Sequence, residues 1–323
     1  MKKVLVAGAT GRLGAEVLCE LSRRGYRTRA LVRDRARLKE GAARGVEVFE
    51  ADARSPGSLE GACEGCHVVV SAMGASLALG RTRERASGFR EVDFLANVNL
   101  LERARREGVG KFVYVSLHGA ERLRGLGYVD AHEEFVGALA ASGMQHTIVR
   151  PTGFFHVFAE IFRMAERGRV VIVGGGEART NPVDERDVAR ECADAVEVGE
   201  RELPVGGPET YTRREIAELA FEALGRPPNV TSVPAALVRA LIKPVRLFDR
   251  RLYDLLEFGA AVSTRDLVAP PAGEHGLRQF FRRLAGQAPA AARAPNVTAG
   301  DMRITSGELR RLSNGAERTG PRP

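Results

Sequence analysis

A glycine-rich segment near the amino end has the residue types and spacing of a phosphate-binding loop. The sequence Gly8-Ala-Thr-Gly11-Arg-Leu-Gly14 follows an apolar run and opens a helical pattern. Gly8 permits a tight turn, Gly11 lets the backbone approach a pyrophosphate, and Gly14 allows the helix to pack closely on the strand. The amides at the helix start would then face the phosphates of a dinucleotide, although a strand-to-helix turn without a ligand has the same local pattern. The loop adds three further cofactor-binding candidates, Thr10, Arg12 and Leu13.

The residue after the second apolar run bears on which dinucleotide would bind. Arg33 stands there, followed by Asp34. An acid at this place holds the ribose 2′-hydroxyl of NAD, whereas an arginine suits the 2′-phosphate of NADPH. Arg12 can add a second positive charge. The sequence therefore favours NADPH over NADH, and the alternative is that Arg33 is a solvated surface residue.

Residues after the third and fourth apolar runs also fit the path of a cofactor. Asp52 could accept a hydrogen bond from the adenine amine, or it could cap the start of a helix. The small residues of Ser71-Ala-Met-Gly74 would lie where the middle of the cofactor passes, or they could form a simple turn. The candidates taken from this segment are Ala72, Met73 and Gly74.

Strand and helix patterns alternate through the first half of the chain. Helical patterns, one of them near Ser58 to Cys63, separate apolar runs at 3–7, 27–32, 46–52, 67–73, 111–116 and 146–150. This alternation predicts an α/β fold, a doubly wound parallel sheet of the Rossmann type, with a smaller C-terminal substrate-covering part. The predicted parts are a cofactor-binding domain at 1–198, the covering region at 199–284, and a disordered tail at 285–323 that is rich in Ala, Pro, Arg and Gly.

Composition and cysteine usage argue against several other classes of protein. The net charge is +8, and residues 285–323 carry +3 of it. No zinc-finger spacing or aromatic RNA-binding motif accompanies that charge, so we expect no nucleic-acid partner. Cys63 and Cys66 have metal-site spacing, but no second pair completes a site, and we expect no metal. We see no signal peptide and no apolar run of transmembrane length, which predicts a cytoplasmic protein without a membrane partner.

The chain resembles the NmrA-like group of atypical or extended short-chain dehydrogenase/reductases, which bind NAD(P)H. The resemblance covers about residues 1–284 and rests on segments in the family's order: GATGRLG, LVRD, VVVSAMG, EVDFLANVNLLERARREGVGKFVYVS, YVDAHEEF, SGMQHTIVRPTGFF and GGGEARTNPVDERDVA. It implies a Rossmann fold and a nicotinamide cofactor. The similar proteins include divinyl chlorophyllide reductases, isoflavone-reductase-like proteins and non-catalytic redox sensors.

The resemblance also implies catalytic positions, and one of them departs from the family's pattern. Members that reduce carbonyls pair a proton-donating tyrosine with a lysine four residues later. Here Tyr128 is present but His132 replaces the lysine. Residues i and i+4 share a helix face, so the two side chains could still meet. The family's serine after the fifth strand corresponds to Ser116, with His118 as the alternative.

Four further candidate positions lie in the segments that carry the resemblance. Thr152 would flank the nicotinamide. Phe154 and Phe155 could wall the substrate pocket or belong to the core. Asn97 would order its helix or a water molecule, or simply face solvent.

These observations predict an NADPH-dependent reductase. A hydride would pass to a carbonyl or an activated double bond of a small apolar molecule, with Tyr128 as proton donor assisted by His132. The missing lysine favours an alternative, a non-catalytic NAD(P)-binding regulator. A sugar-nucleotide epimerase is less favoured. The expected partner is a small-molecule substrate, and the protein could be a homo-oligomer.

Overall fold

The computed structural model describes residues 2–39, 41, 45–75, 88–199 and 201–287. The described strands are β1 Lys3–Ala7, β2 Arg27–Val32, β3 Glu47–Glu50, β4 Val68–Ser71, β5 Lys111–Val115, β6 Gln145–Pro151, β7 Val170–Val173, β8 Arg179–Thr180, β9 Glu202–Val205, β10 Tyr211–Thr212 and β11 Val230–Val233. Seven of them form one parallel sheet in the order β3-β2-β1-β4-β5-β6-β9. The chain runs outward from β1 to β3 and then returns to β4 beside β1. This reversal confirms the predicted doubly wound sheet and creates a crevice at the carboxyl ends of β1 and β4.

Helices cover both faces of the sheet. They are α1 Arg12–Arg23, α2 Ala96–Arg106, α3 Gly127–Ala141, α4 Phe155–Glu166, α5 Glu185–Asp194, α6 Arg213–Ala223, α7 Ala235–Ile242, α8 Val245–Phe248, α9 Arg250–Ser263 and α10 Leu277–Gln287. Apolar side chains of α1 and α5 bury one face of the sheet, and those of α2 and α3 bury the other. Burial on both faces explains why the strands read as continuous apolar runs.

A second core lies in the C-terminal part. Phe155 and Phe162 of α4 pack there with Phe221 of α6 and Phe281 of α10. Strand β7 pairs with β11, and β8 pairs with β10, in two small separate sheets. The chain returns to the large sheet at β9, so the two parts interleave along the sequence. The domain boundaries at 198/199 and 284/285 stay predictions; α10 continues to Gln287 with Ala285 buried, and 288–323 lie outside the described residues.

One predicted helix differs from the structure. The segment near Ser58 to Cys63 forms only a 3₁₀ turn at Pro56–Leu59 followed by further turns. Helix α3 begins at Gly127 and carries both Tyr128 and His132. A π-helical segment, Arg90–Leu95, precedes α2. At the start of α6, Thr212 and Glu215 form a capping box.

Candidate functional site

The glycine loop closes tightly between β1 and α1. Gly8 has φ +79°, and a Cβ atom there would lie 2.5 Å from the carbonyl oxygen of Ala72. A Cβ on Gly14 would lie 2.2 Å from the carbonyl oxygen of Gly8. Both distances are impossible for a larger residue. The glycines therefore bring the start of α1 against the ends of β1 and β4, as the loop motif predicted.

A cavity of about 330 Å³ opens beside this loop at the carboxyl ends of β1, β2 and β4. Its lining includes eight of the predicted cofactor-binding residues: Gly8, Thr10, Gly11, Arg33, Asp52, Ala72, Met73 and Gly74. Sequence reasoning did not select several others, among them Arg37, Arg54, Ala75, Val92, Ala96 and Arg251. Four predicted residues are outside this lining: Arg12, Leu13, Gly14 and Thr152. The cavity lies at the topological switch point, where a doubly wound sheet binds its ligand. We call it the cofactor pocket.

Guanidinium groups form a positive rim on the pocket beyond β2. Arg33, Arg37 and Arg54 all contribute to the lining. The carboxylate of Asp34 accepts a hydrogen bond from the amide of Ala36 at 2.9 Å and so caps a short 3₁₀ turn. Asp34, the acid next to Arg33, therefore caps this turn and does not line the pocket. The residues of this segment that line the pocket with charged groups are Arg33 and Arg37.

Asp52 lines the pocket from the loop after β3, but its carboxylate already has partners. It accepts hydrogen bonds from the backbone amide of Arg54 at 3.0 Å and from Nε of Arg54 at 3.0 Å. The hydrogen bonds from Arg54 and the charge of Arg33 lower the pKa of the Asp52 carboxyl. Asp52 thus fixes the Arg54 guanidinium beside the pocket, a role that the sequence did not suggest.

His132 sits at the centre of a buried polar cluster. Its Nδ1 is hydrogen-bonded to the Tyr114 hydroxyl at 2.6 Å, and its Nε2 lies 3.3 Å from Oδ1 of Asp93. The contact between Nε2 and Asp93 is not a hydrogen bond. Among the described residues, Nε2 of His132 has no hydrogen-bond partner. Oδ1 of Asp93 also accepts a hydrogen bond from the amide of Ala75 at 2.9 Å. The cluster therefore reaches from the core to a loop that lines the cofactor pocket.

Tyr128 meets His132 through its ring and not through its hydroxyl. The two ring centroids are 4.7 Å apart in an edge-to-face arrangement, and Phe89 and Phe258 flank the same tyrosine at 5.3 and 4.8 Å. Desolvation by these surroundings, with the charge of Asp93, raises the pKa of Tyr128 far above its usual value. The tyrosine is therefore held as a neutral phenol, and His132 does not replace a lysine by hydrogen-bonding its oxygen.

Ser116 belongs to a separate ion-pair network. Its hydroxyl donates to Oε1 of Glu133 at 3.0 Å, and the same carboxylate accepts from Arg150 at 2.7 Å. Arg150 also contacts Glu202 on β9. Nε2 of His118 donates to the carbonyl of Val268 at 3.0 Å. Among the described residues, neither side chain is hydrogen-bonded to Tyr128, and neither lines the cofactor pocket.

Comparison with known proteins decides the family. The model of a family described as NAD(P)H-binding matches residues 8–199. The chain belongs to this NAD(P)H-binding family. Divinyl chlorophyllide a 8-vinyl-reductase of Zea mays is 30% identical over 323 aligned residues, which cover 87% of this chain and 79% of that one. Photosystem II assembly factor Ycf39 of a Synechocystis strain is 26% identical, with 76% and 75% covered. The resemblance to the NmrA-like group is thereby confirmed.

A solved structure supports the same fold for this family member. An NADPH-dependent quinone oxidoreductase of Escherichia coli superposes with a TM-score of 0.65 at 23% identity, covering 87% of this chain and 99% of that one. The maize relative is described as chloroplastic, which conflicts with the prediction from the sequence that this protein is cytoplasmic. In the part of the chain that the structure describes, we find no helix with the length and apolar character needed to cross a bilayer.

Thr152 and Asn97 stabilise the frame of the NAD(P)H-binding domain. The Thr152 hydroxyl donates to the carbonyl of Asn181 at 2.5 Å, inside the protein. Asn97 is fully buried and accepts a hydrogen bond from Ser71 at 2.6 Å, while its amide donates to the carbonyl of Asp93 at 3.0 Å. The interpretation of Asn97 as solvent-facing is wrong: it ties the π-helical segment to the end of β4.

The remaining candidate positions lie within the hydrophobic cores. Phe155 is fully buried in the C-terminal core, whereas Phe154 is partly buried and stacks on His156. Cys63 and Cys66 are buried free thiols. Among the described residues, no group of three or more His, Cys, Asp or Glu side chains is arranged to hold a metal ion.

Sequence reasoning missed Arg37, Arg54, Asp93 and Tyr114. A signal existed for Arg54, which stands two residues after Asp52 in the loop that the sequence had already selected. Tyr114 reads as one more apolar strand residue, and Asp93 as a helix surface residue. Only the packing of α2 and α3 on β5 shows that both face His132.

Proposed function

We propose that this protein is an NADPH-dependent reductase that transfers a hydride to a carbonyl or an activated double bond of a small apolar molecule. The observation that carries the proposal is the cofactor pocket at the switch point, with Arg33, Arg37 and Arg54 on its rim. Guanidinium groups match a 2′-phosphate, a group that NADH lacks. The glycine loop supports the same proposal, because a Cβ at Gly8 would collide with the carbonyl of Ala72 and the tight turn of a dinucleotide-binding loop could not form.

The nicotinamide, when bound, supplies the hydride. The residues of the chain orient the reacting groups and supply a proton. Tyr128 is our proton donor, because it stands where the family's pattern places the proton-donating tyrosine and because a phenol is protonated at neutral pH. His132 is a positioning residue: Tyr114 and Asp93 fix its ring, and that ring supports the ring of Tyr128. Ser116 holds the Glu133–Arg150 pair in place, and we assign it no contact with substrate.

A second candidate function is a non-catalytic NAD(P)H-binding regulator. Two observations favour it: the lysine of the family's pattern is absent, and the Tyr128 ring packs among other aromatic rings while its raised pKa makes the phenol a weaker acid. A relative described as an assembly factor is consistent with such a role.

Turnover measurements distinguish the two functions. We would follow NADPH absorbance with the full-length protein and a panel of quinones and enones, for the wild type, Tyr128→Phe and the control Tyr26→Phe. Tyr26 lies on the surface, where its hydroxyl donates to Glu197. A reductase is expected to lose at least about a hundredfold in kcat with Tyr128→Phe, the usual contribution of a general acid, and to keep its activity with Tyr26→Phe. NADPH binding without turnover of any substrate would support the regulator instead.

A further inference from the structure

Exposed apolar side chains are concentrated on α7, α8 and the turn between them. Leu237 and Leu241, one helical turn apart, are 51% and 67% exposed, and Leu247 and Phe248 are 83% and 88% exposed. Single exposed leucines are normal on a protein surface, but four large apolar side chains within one short segment form a patch that marks a binding surface. We call residues 234–250 the apolar prominence.

Positive charges surround these apolar side chains. Arg239, Lys243, Arg246 and Arg250 are all exposed, and the prominence has a net charge of +3. Its one acidic residue, Asp249, accepts a hydrogen bond from the amide of Leu252 at 2.9 Å and caps α9. Exposed Leu and Phe next to Lys and Arg on short helices are the pattern of segments that bind at a membrane surface.

Charge decides among the occupants that could cover the prominence. A second copy of the chain would bring the same +3 against it. The segments outside the described residues offer no complementary charge either, since 76–87 carries +2 and 288–323 carries +3. Side chains exposed by more than four-fifths protrude from the surface. A fluid lipid boundary can accept protruding side chains without a preformed groove.

We propose that the apolar prominence docks this protein onto the surface of an anionic lipid bilayer. Leu241, Leu247 and Phe248 enter the boundary between headgroups and acyl chains, and Arg239, Lys243 and Arg246 contact anionic headgroups, whereas Arg250 pairs with Asp254 at 3.1 Å. Surface docking needs no membrane-spanning helix. Arg251 lines the cofactor pocket three residues after Phe248, so docking would bring that pocket close to lipid, where an apolar molecule is dissolved. The proposal concerns lipid binding and does not depend on the proposed reaction.

Vesicle sedimentation with the full-length protein tests this proposal. The vesicles are phosphatidylcholine alone, and phosphatidylcholine mixed with phosphatidylglycerol. The charge variant is Arg239→Gln/Lys243→Gln, and its control is Arg106→Gln/Arg167→Gln, two exposed arginines elsewhere. The apolar variant is Leu247→Ser/Phe248→Ser, and its control is Val157→Ser, at an apolar side chain that is 45% exposed. Thermal unfolding and NADPH titration verify that each variant is folded.

We expect the wild type to sediment with the anionic vesicles and to be released by salt. The charge variant should partition about thirtyfold more weakly, since each cation near such a surface contributes about a factor of five. The apolar variant should lose about tenfold or more, and both controls should match the wild type. Binding that survives both variants would assign lipid contact to another segment and overturn the proposal. If the wild type sediments with neither kind of vesicle, the proposal is also overturned. In that case, a change of oligomeric state in the apolar variant would identify the prominence as a protein interface.

Discussion

The Tyr114 hydroxyl lies 2.6 Å from Nδ1 of His132, and both residues are buried. This hydrogen bond joins a strand of the central sheet to the helix that carries Tyr128. On its other side, the imidazole faces Asp93, which has no exposed surface. The one histidine on α3 therefore joins β5, α3 and the π-helical segment before α2.

Removing the His132 imidazole should strongly destabilise the fold. His132→Ala leaves the Asp93 carboxylate and the Tyr114 hydroxyl buried without this partner, and we expect a loss of about 3 kcal/mol in the free energy of unfolding. Urea denaturation measures it. The control His118→Ala removes a half-buried ring bonded to a backbone carbonyl and should cost about 1 kcal/mol or less. Equal losses in the two variants would mean that the buried cluster has no special contribution.

The cationic rim should determine which nicotinamide dinucleotide binds. Arg33→Ser should weaken NADPH binding about tenfold, because the side chain loses a charge-assisted contact with the 2′-phosphate at an exposed site. NADH has no such phosphate, so its affinity should change little. Fluorescence titration with both dinucleotides measures the effect. Arg35→Ser is the matched control, since Arg35 is an exposed arginine nearby that does not line the pocket. A parallel loss for NADH would argue against a 2′-phosphate contact.

The glycine loop permits a comparison of two glycines with the same backbone conformation. Gly8 and Gly25 have φ values of +79° and +83°, but only at Gly8 would a Cβ meet backbone within 4 Å. Gly25→Ala should cost about 1 kcal/mol from its positive φ alone. Gly8→Ala should cost more and abolish NADPH binding, because the methyl group collides with the carbonyl of Ala72. Differential scanning fluorimetry with and without NADPH records both effects. Similar stability and binding in the two variants would contradict the close approach of the loop to β4.

The four thiols should differ sharply in reactivity at pH 8. Burial raises the pKa of Cys63 and of Cys192 to about 12 and also raises that of Cys66, so all three stay protonated and inaccessible. Cys19 is exposed and should be the thiol that reacts with a disulfide reagent in the native protein. Denaturant should expose all four. Cys19→Ser should remove the native reaction, and any rapid reaction that persists would contradict the burial of Cys63, Cys66 or Cys192.

The doubly wound sheet and eight residues that line the pocket at its switch point could be predicted from the sequence, because both depend on local signals. Continuous apolar runs identify strands covered on both faces, and the turn from β1 to α1 must be made of glycines wherever backbone approaches backbone as closely as Gly8 approaches Ala72. Arg33 and Asp52 could be placed in the pocket because parallel strands end at the same edge of the sheet.

The contacts between polar groups inside the protein could not be predicted from the sequence. Tyr128 and His132 stand four residues apart, and helix geometry does bring their rings together. However, the nitrogens of His132 face Tyr114 and Asp93, which are distant in the sequence and carry no local signal of the contact. The exposure of Leu247 and Phe248 was equally hidden, since an apolar residue in a sequence is expected inside. Burial and partner choice depend on how separate helices pack, and that information is not contained in any short stretch of the chain.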